Sequence, residues 1–541
     1  MDFTFDALKY QYPSRRRVVY GRRGMVCTSQ PLAAQAGLDI LKQGGNAVDA
    51  AIATAACMTV LEPTSNGIGS DAFALVWMND EKRLYGLNGS GPAPMLAQLD
   101  TIRRMGDGQM PKRGWAPVVV PGAPAAWAEL SRKYGKLSLS QVLKPSADYA
   151  QNGFPVAPVT AYYWQRGKKI FEEECKAHPE VFSAWFDTFA PGGHAPKPGE
   201  LFRAPDMART LREIGESQGE SFYRGSLAQK IDQFSKATGG LLRGEDLADY
   251  HAQWVEPITV GYKGYNVWEI PPNGHGIVAL MALNILKNDT FTHRDCADTF
   301  HRQIEAMKLA FADGLRYIAD PRYMTVTTQQ LLSDAFAAKR RALIGQEALT
   351  PAPCDPNCGG TVYLCTADGD GNMVSYIQSN YQGFGSGVVV PGTGISLNNR
   401  GNNFSLDEKL ENCIAPGKKP YHTIIPGFLT KDGEAVGPFG VMGAFMQPQG
   451  HLQVIMNTID FGMNPQEALD APRWQWVSDK EIHVERAFPY AITEELARRG
   501  HKMVVDVSDG SFGRGQIIWK NEDGVLVGAT EPRADGTVAA W

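Results

Sequence analysis

Residues 359–375 read GGTVYLCTADGDGNMVS. Two glycines run into a threonine, and TVYLCTA and NMVSYIQ then flank the turn Asp368-Gly369-Asp370-Gly371-Asn372. β-Branched and aromatic residues on both sides of a short Gly/Asp/Asn turn predict a β-hairpin that opens at Thr361. The stretch in front of it, PAPCDPNCGG (351–360), is rich in Pro and Gly, has no apolar periodicity and breaks the chain. A main-chain bond ahead of a Thr is open to attack by that residue's own hydroxyl, and flexible glycines permit the strained backbone the attack needs. Hydrolysis of the resulting ester frees Thr361 as a new N-terminus. Its α-amine, with an ordinary pKa of about 7.7–8.0, is then a base beside its own hydroxyl near neutral pH. Alone, Gly-Gly-Thr at a strand start is a weak signal and reads first as a loop entering a strand.

Working outward, the texture differs on the two sides of the break. Upstream, LAAQAGLDILKQ carries helical spacing, with Pro31 in its first turn, Ser29 as a candidate cap and Gly44-Gly45-Asn46 as its stop. AVDAAIATAACMTVL (47–61) is apolar nearly all round, which predicts a helix buried inside a layered fold. A Gly-rich turn at 66–70 leads into two strands, AFALVWM and RLYGLNG. Residues 120–350 are predicted mainly helical. The clearest helix is Thr299–Ile318, with Phe300, Ile304, Met307, Phe311, Leu315 and Ile318 on one face, and ITVGYKGYNVWEI is a strand-like insert. Downstream the texture is β: GVVVP, TGISLNN, HTIIPGFLT and EAVGPFGVM read as strands, and helices return at Asn464-Pro465-Gln466-Glu467 and at 493–500.

Bulk properties narrow the function. The 541 residues exceed one ordinary core, and a net charge of −5 gives no electrostatic reason to expect nucleic acid or an anionic membrane as partner. The opening residues lack an apolar core of signal-peptide length, and 47–61 is too short and too polar to span a bilayer. A cytoplasmic protein is the expectation, and its eight cysteines are then expected as thiols. Cys354 and Cys358 lack a second ligand pair for zinc. Asp368-x-Asp370-x-Asn372 starts like a calcium loop but has Met373 and Ser379 where glycine and a bidentate Glu are needed. The glycines at 67–69 and 383–387 complete no nucleotide fingerprint, and there is no G-x-S-x-G, no H-E-x-x-H and no histidine pair at metal-ligand spacing. No metal and no cofactor are expected.

Eight ordered blocks resemble the gamma-glutamyltranspeptidase family along nearly the whole chain: QPLAAQAGLDILKQGGNAVDAAIA (30–53), LEPTSNGIGSDAF (61–73), VPGAPAAW (120–127), DLADYHAQWVEPI (246–258), EAMKLAFADGLRYIADP (305–321), GGTVYLCTADGDGNMVS (359–375), GFGSGVVVPGTGISLNN (383–399) and GVMGAFMQPQGH (440–451). They are most similar to its cytoplasmic bacterial glutathione hydrolase-like subgroup. The resemblance implies an N-terminal-nucleophile (Ntn) hydrolase, an α/β fold built as a four-layer αββα sandwich. It implies autocleavage between Gly360 and Thr361 into a large piece, 1–360, and a small piece, 361–541, that stay associated; a homodimer of such two-piece units is compatible with it. Thr361 falls on the catalytic threonine, Ser379 on a hydroxyl residue that holds it, and Gly443-Ala444 on the Gly-Gly pair of the oxyanion hole.

The substrate pocket departs from the family. Where D-G-R-E-T-A-P sets an Arg on the glutamyl carboxylate, Ser90 stands here, and where N-N-Q-M-D-D sets an Asp on the glutamyl amine, Asn403 stands here. The Ser-Ser pair after K-R-P-L is His422-Thr423. Each lost charge-assisted bond at a buried site costs about 1.5–3 kcal/mol. Arg400 is a different carboxylate clamp or a structural ion pair, His422 a pocket donor or a core histidine, and Tyr381 a further pocket residue. The segment 404–420 looks shorter than the family's lid, which predicts an open pocket with water as acceptor. The expected substrate is a small amide: by family default a gamma-glutamyl compound such as glutathione, and by the altered pocket another small amide acid such as oxamate. A silent relative that binds a small metabolite is the alternative from a different class.

Overall fold

A computed structural model describes residues 15–351, 360–507 and 509–541. Cys354, Cys358, most of the break at 351–360 and the first fourteen residues lie outside them. The predicted hairpin forms as Gly360–Asp368 and Met373–Tyr381, antiparallel, with an irregularity between Gly360 and Val362. It sits at the centre of a seven-stranded antiparallel sheet. Gly24–Thr28 and then Thr537–Ala540 lie on one side, and Asp71–Met78, Arg83–Gly89 and Gln253–Val255 on the other. Asp368 accepts from the amides of Ala47, Asp370 and Asn372, so its carboxylate closes the hairpin turn.

A second seven-stranded antiparallel sheet runs Val19–Gly21, Leu526–Thr530, Arg514–Lys520, Glu434–Met442, Gly427–Lys431, Tyr265–Glu269, Ile258–Tyr262. The sheets face each other across Phe73, Tyr363, Ile377, Ile424, Phe428, Met442 and Ile518. The interface is tight at Gly440, where a Cβ would lie 2.4 Å from the Tyr363 ring. That contact sets the Glu434–Met442 strand against the strand of Thr361, two residues beyond it.

Helices cover both outer faces. Pro31–Lys42, Ala47–Leu61, Ala123–Tyr134 and Leu139–Asn152 share one core with the first sheet. Gly276–Leu286, Ala297–Tyr317 and Met446–Ile459 share another with the second. All fifteen residues of 47–61 are buried, which accounts for their lack of a polar face. The architecture is the four-layer αββα sandwich of Ntn hydrolases.

Three local expectations change. Gln30, not Ser29, occupies the cap position of the first helix, because the Ser29 hydroxyl donates to Glu62 at 2.6 Å. HTIIPGFLT is strand only from Gly427; His422 makes a single isolated bridge to Gly274, and its side chain and that of Thr423 are bonded to Asp71 and Arg400. The strands at 514–540 carry no turn signal as clear as Asp368–Asn372, and sequence reading passed over them. Among the described residues, no helix is long and apolar enough to cross a membrane.

Candidate active site

Thr361 stands at the head of the central hairpin, buried, with Oγ1 3.0 Å from Ser379 Oγ. Ser379 Oγ in turn accepts from the Tyr381 amide at 2.8 Å. The Tyr381 backbone has φ +80°, a strained value for a non-glycine residue, and it faces Gly360 across the ladder where the register shifts. Strain on the partner strand therefore fixes the hydroxyl that meets Thr361.

Gly443 and Ala444 close the Glu434–Met442 strand and lead into the helix Met446–Ile459. Their carbonyls accept from the amides of Met446 and Gln447. Gly443 has φ +137° and Ala444 φ +49°. The methyl group at 444 is thus accommodated in the left-handed region at a cost of about 1–2 kcal/mol. N–H groups at a helix start have no intrahelical partner and carry the positive end of its dipole, a disposition suited to a developing oxyanion.

Register places Ser379 opposite Asp71. Asp71 opens the next strand and joins the candidate site, although the sequence alone does not single it out. Its Oδ2 accepts from Arg400 Nε at 3.0 Å and from His422 Nε2 at 3.1 Å. Arg400 Nη1 donates to Thr423 Oγ1 at 2.7 Å, and the guanidinium lies 4.7 Å from the Tyr381 ring centroid. Only Nη2 of Arg400 lacks a hydrogen-bond partner among the described residues. Burial, then the Arg400 charge, push His422 down to about 4, so the ring is neutral. With Asp71 on Nε2 and the Ile424 amide aimed at Nδ1, the Nε2–H tautomer is assigned. Burial likewise lowers the Arg400 pKa, while Asp71 opposes the shift.

Ser90 Oγ donates to Asn88 Oδ1 at 2.6 Å. Asn403 lies in the short 3-10 turn Arg400–Asn403, its side-chain nitrogen buried without a partner among the described residues. In the uncleaved chain Ser90, Arg400, His422 and Thr423 are all 0% exposed, which differs from the open pocket expected from the short 404–420 segment. The bonding accounts for it: Arg400 and His422 share Asp71, Arg400 also holds Thr423, and Ser90 is bonded to Asn88 and Asn273. A lone buried carboxylate in Gly-Ser-Asp before an apolar strand was the sequence signal for Asp71.

Among the described residues, one His/Glu grouping could hold a metal: His301, Glu305 and His501, with ligand atoms within 4.8 Å of one another. The two rings meet at 2.9 Å, and their separation of 200 residues hides the pair from a search by spacing. Lys308 donates to Glu305 at 2.7 Å and already neutralises the carboxylate.

The family model described as gamma-glutamyltranspeptidase matches residues 33–541. The chain is 36% identical to the glutathione hydrolase-like YwrD proenzyme of Bacillus subtilis (strain 168), covering 96% of this chain and 98% of that protein. It is 34% identical to the oxamate amidohydrolase proenzyme of Klebsiella pneumoniae, again covering 96% and 98%. A crystal structure of cephalosporin acylase from Bacillus halodurans superposes with TM-score 0.96 at 61% identity, covering 100% of this chain and 99% of that one.

Proposed function

The chain belongs to the gamma-glutamyltranspeptidase family of Ntn amidohydrolases, and from that premise we propose that it matures by cutting itself between Gly360 and Thr361 and then hydrolyses a small amide other than a gamma-glutamyl compound. The observation that carries the reading is the hydroxyl pair Thr361–Ser379 at 3.0 Å, set at a strained strand head.

In maturation, Thr361 Oγ1 adds to the Gly360 carbonyl carbon, with its proton passing toward the Ser379 hydroxyl. The C–N bond breaks as the Thr361 nitrogen takes a proton, and water opens the ester to leave the Gly360 carboxylate and a free Thr361 amine. In turnover, that amine takes the proton from Oγ1 as the oxygen adds to the substrate's amide carbon. The Gly443 and Ala444 amides hold the oxyanion, the leaving amine is protonated, and water releases the acid from the threonine ester. The pieces 1–360 and 361–541 stay together, a proposal supported by two sheets that each pair strands from both sides of the cut.

Asp71 neutralises Arg400, His422 is neutral, and Ser90 and Asn403 bring no charge. Such a site does not offer the two opposite charges a zwitterionic glutamyl group needs. This favours an amide of a simpler acid, in line with the names of the oxamate amidohydrolase and acylase relatives. The gamma-glutamyl reading rests on the family default and on the names of the glutathione hydrolase-like and glutathione hydrolase relatives.

Intact mass and N-terminal sequencing of the purified protein test the nucleophile: fragments meeting at Gly360/Thr361 are expected. A stable full-length chain that still binds ligand would move the assignment to a silent small-metabolite binder. Ammonia release from oxamate, set against cleavage of a chromogenic gamma-glutamyl anilide, then decides the substrate. Turnover of the anilide alone overturns the reading preferred here.

A further inference from the structure

A cleft of about 880 Å³ lies behind the Ser90 segment. Met95, Leu96, Val255 and Pro272 give it apolar surface, and its charged lining is Arg243, Arg322 and Lys419 beside Glu245, Asp246, Asp249 and Asp320. The two neighbouring lysines are treated differently. Lys418 is buried, with its ammonium on the carbonyls of Glu411 and Cys413. Lys419 Nζ reaches only neutral amide oxygens, Gln253 Oε1 at 3.0 Å and Asn88 Oδ1 at 3.5 Å. No carboxylate lies within 4.0 Å of it among the described residues. The nearby Asp320 is unavailable, because its oxygens accept from Arg322 Nε and Nη2 and from the Lys419 amide.

We propose that this cleft is a second ligand site, separate from Thr361, which takes an organic acid with its carboxylate on Lys419 and its apolar body against Met95, Leu96 and Val255. A half-buried ammonium whose direct acceptors are both neutral has room for a carboxylate, and Asp320, the nearest acidic group to act on it, is already paired with Arg322. Burial also pushes the Lys419 ammonium down to about 8, so it still carries its charge at pH 7. The site adjoins the reaction centre without opening on it. Asn88 Oδ1, which faces Lys419, also accepts from Ser90, and Asn273, in the same lining, is bonded through its carbonyl to the His422 amide.

The test is calorimetric titration of the purified protein with benzoate and with benzamide, its neutral isostere. Benzoate is expected to bind, and benzamide at least about tenfold more weakly. Lys419→Met should weaken benzoate by about tenfold or more while Lys419→Arg retains it. Met95→Glu, at an exposed position, should weaken benzoate by adding a second negative charge to that of Asp246, which accepts from the Met95 amide. Equal binding of acid and amide, or benzoate binding unchanged in Lys419→Met, overturns the proposal. The readout does not depend on Thr361, so it stands or falls apart from the maturation reading.

Discussion

The nucleophile end of the site and its recognition end are built from different materials. In the function proposed above, the groups that act with Thr361 are hydroxyls and main-chain amides: Ser379, which the Tyr381 amide holds, and the amides of Gly443 and Ala444. They are positioned by backbone conformation, including two strained non-glycine residues, and are indifferent to which acyl group arrives. At the recognition end the groups are side chains, and they satisfy one another. Asp71 holds both Arg400 and His422, and Arg400 holds Thr423. The contrast teaches that such a scaffold can keep its chemistry while its specificity is rewritten, because the two are carried by separable kinds of group.

The sharpest way to break the contrast is Thr361→Ala. It should abolish both self-cleavage and turnover, leaving a single full-length species in the intact mass spectrum. A processed, active Thr361→Ala protein would end the assignment. At the recognition end, Asp71→Asn removes the carboxylate and leaves a buried guanidinium uncompensated, at an expected cost of about 3–5 kcal/mol in denaturant unfolding. An unchanged midpoint would mean that Arg400 has another route to solvent or charge.

Acid should loosen the same end next. His422 takes its proton only near 4 when folded, against an ordinary value of 6.5. Between these pH values the unfolded chain binds a proton that the folded chain refuses. The stability from keeping His422 neutral is therefore full above 6.5, falls as pH falls, and is lost by about 4, a change of about 3 kcal/mol. Melting curves of the wild type and His422→Asn across that window isolate the share, which should be absent in the variant. The smallest effect expected is at the nucleophile end: Ala444→Gly relieves the left-handed alanine and should raise stability by up to about 1 kcal/mol with processing retained. A loss of stability there would show that the methyl group packs usefully.

Much of the nucleophile end was legible because its signals are local. The Gly-Gly-Thr entry, the Asp/Gly/Asn turn and the two flanking strands lie within about twenty consecutive residues, and the hairpin forms as read. The all-apolar helix at 47–61 is legible for the same reason. The recognition end is not local. Arg400 and Asp71 are 329 residues apart and His422 and Asp71 are 351 apart, so neither spacing nor composition ties them together. Arg400 alone left open a clamp or an ion pair, and its partner became visible only when the sheet brought the opening residue of one strand opposite Ser379. The second sheet is harder still, since its seven strands are drawn from residue 19 to residue 530.

The edge strand Thr537–Ala540 and its neighbour Gly24–Thr28 have one more implication, for how the gene can be rearranged. Gly24–Thr28 and Thr537–Ala540 are paired, and the Trp541 carbonyl accepts from the amides of Arg22, Arg23 and Gly24. The ends of the described chain are neighbours in space, the condition under which circular permutation is tolerated. A permuted gene that starts at Thr361 and joins Trp541 by a short linker to the former beginning would give a protein born with its threonine amine free, once the initiator methionine is removed. Maturation would then be a property of the order of codons, and the hydrolase could be studied with its self-scission taken out of the problem.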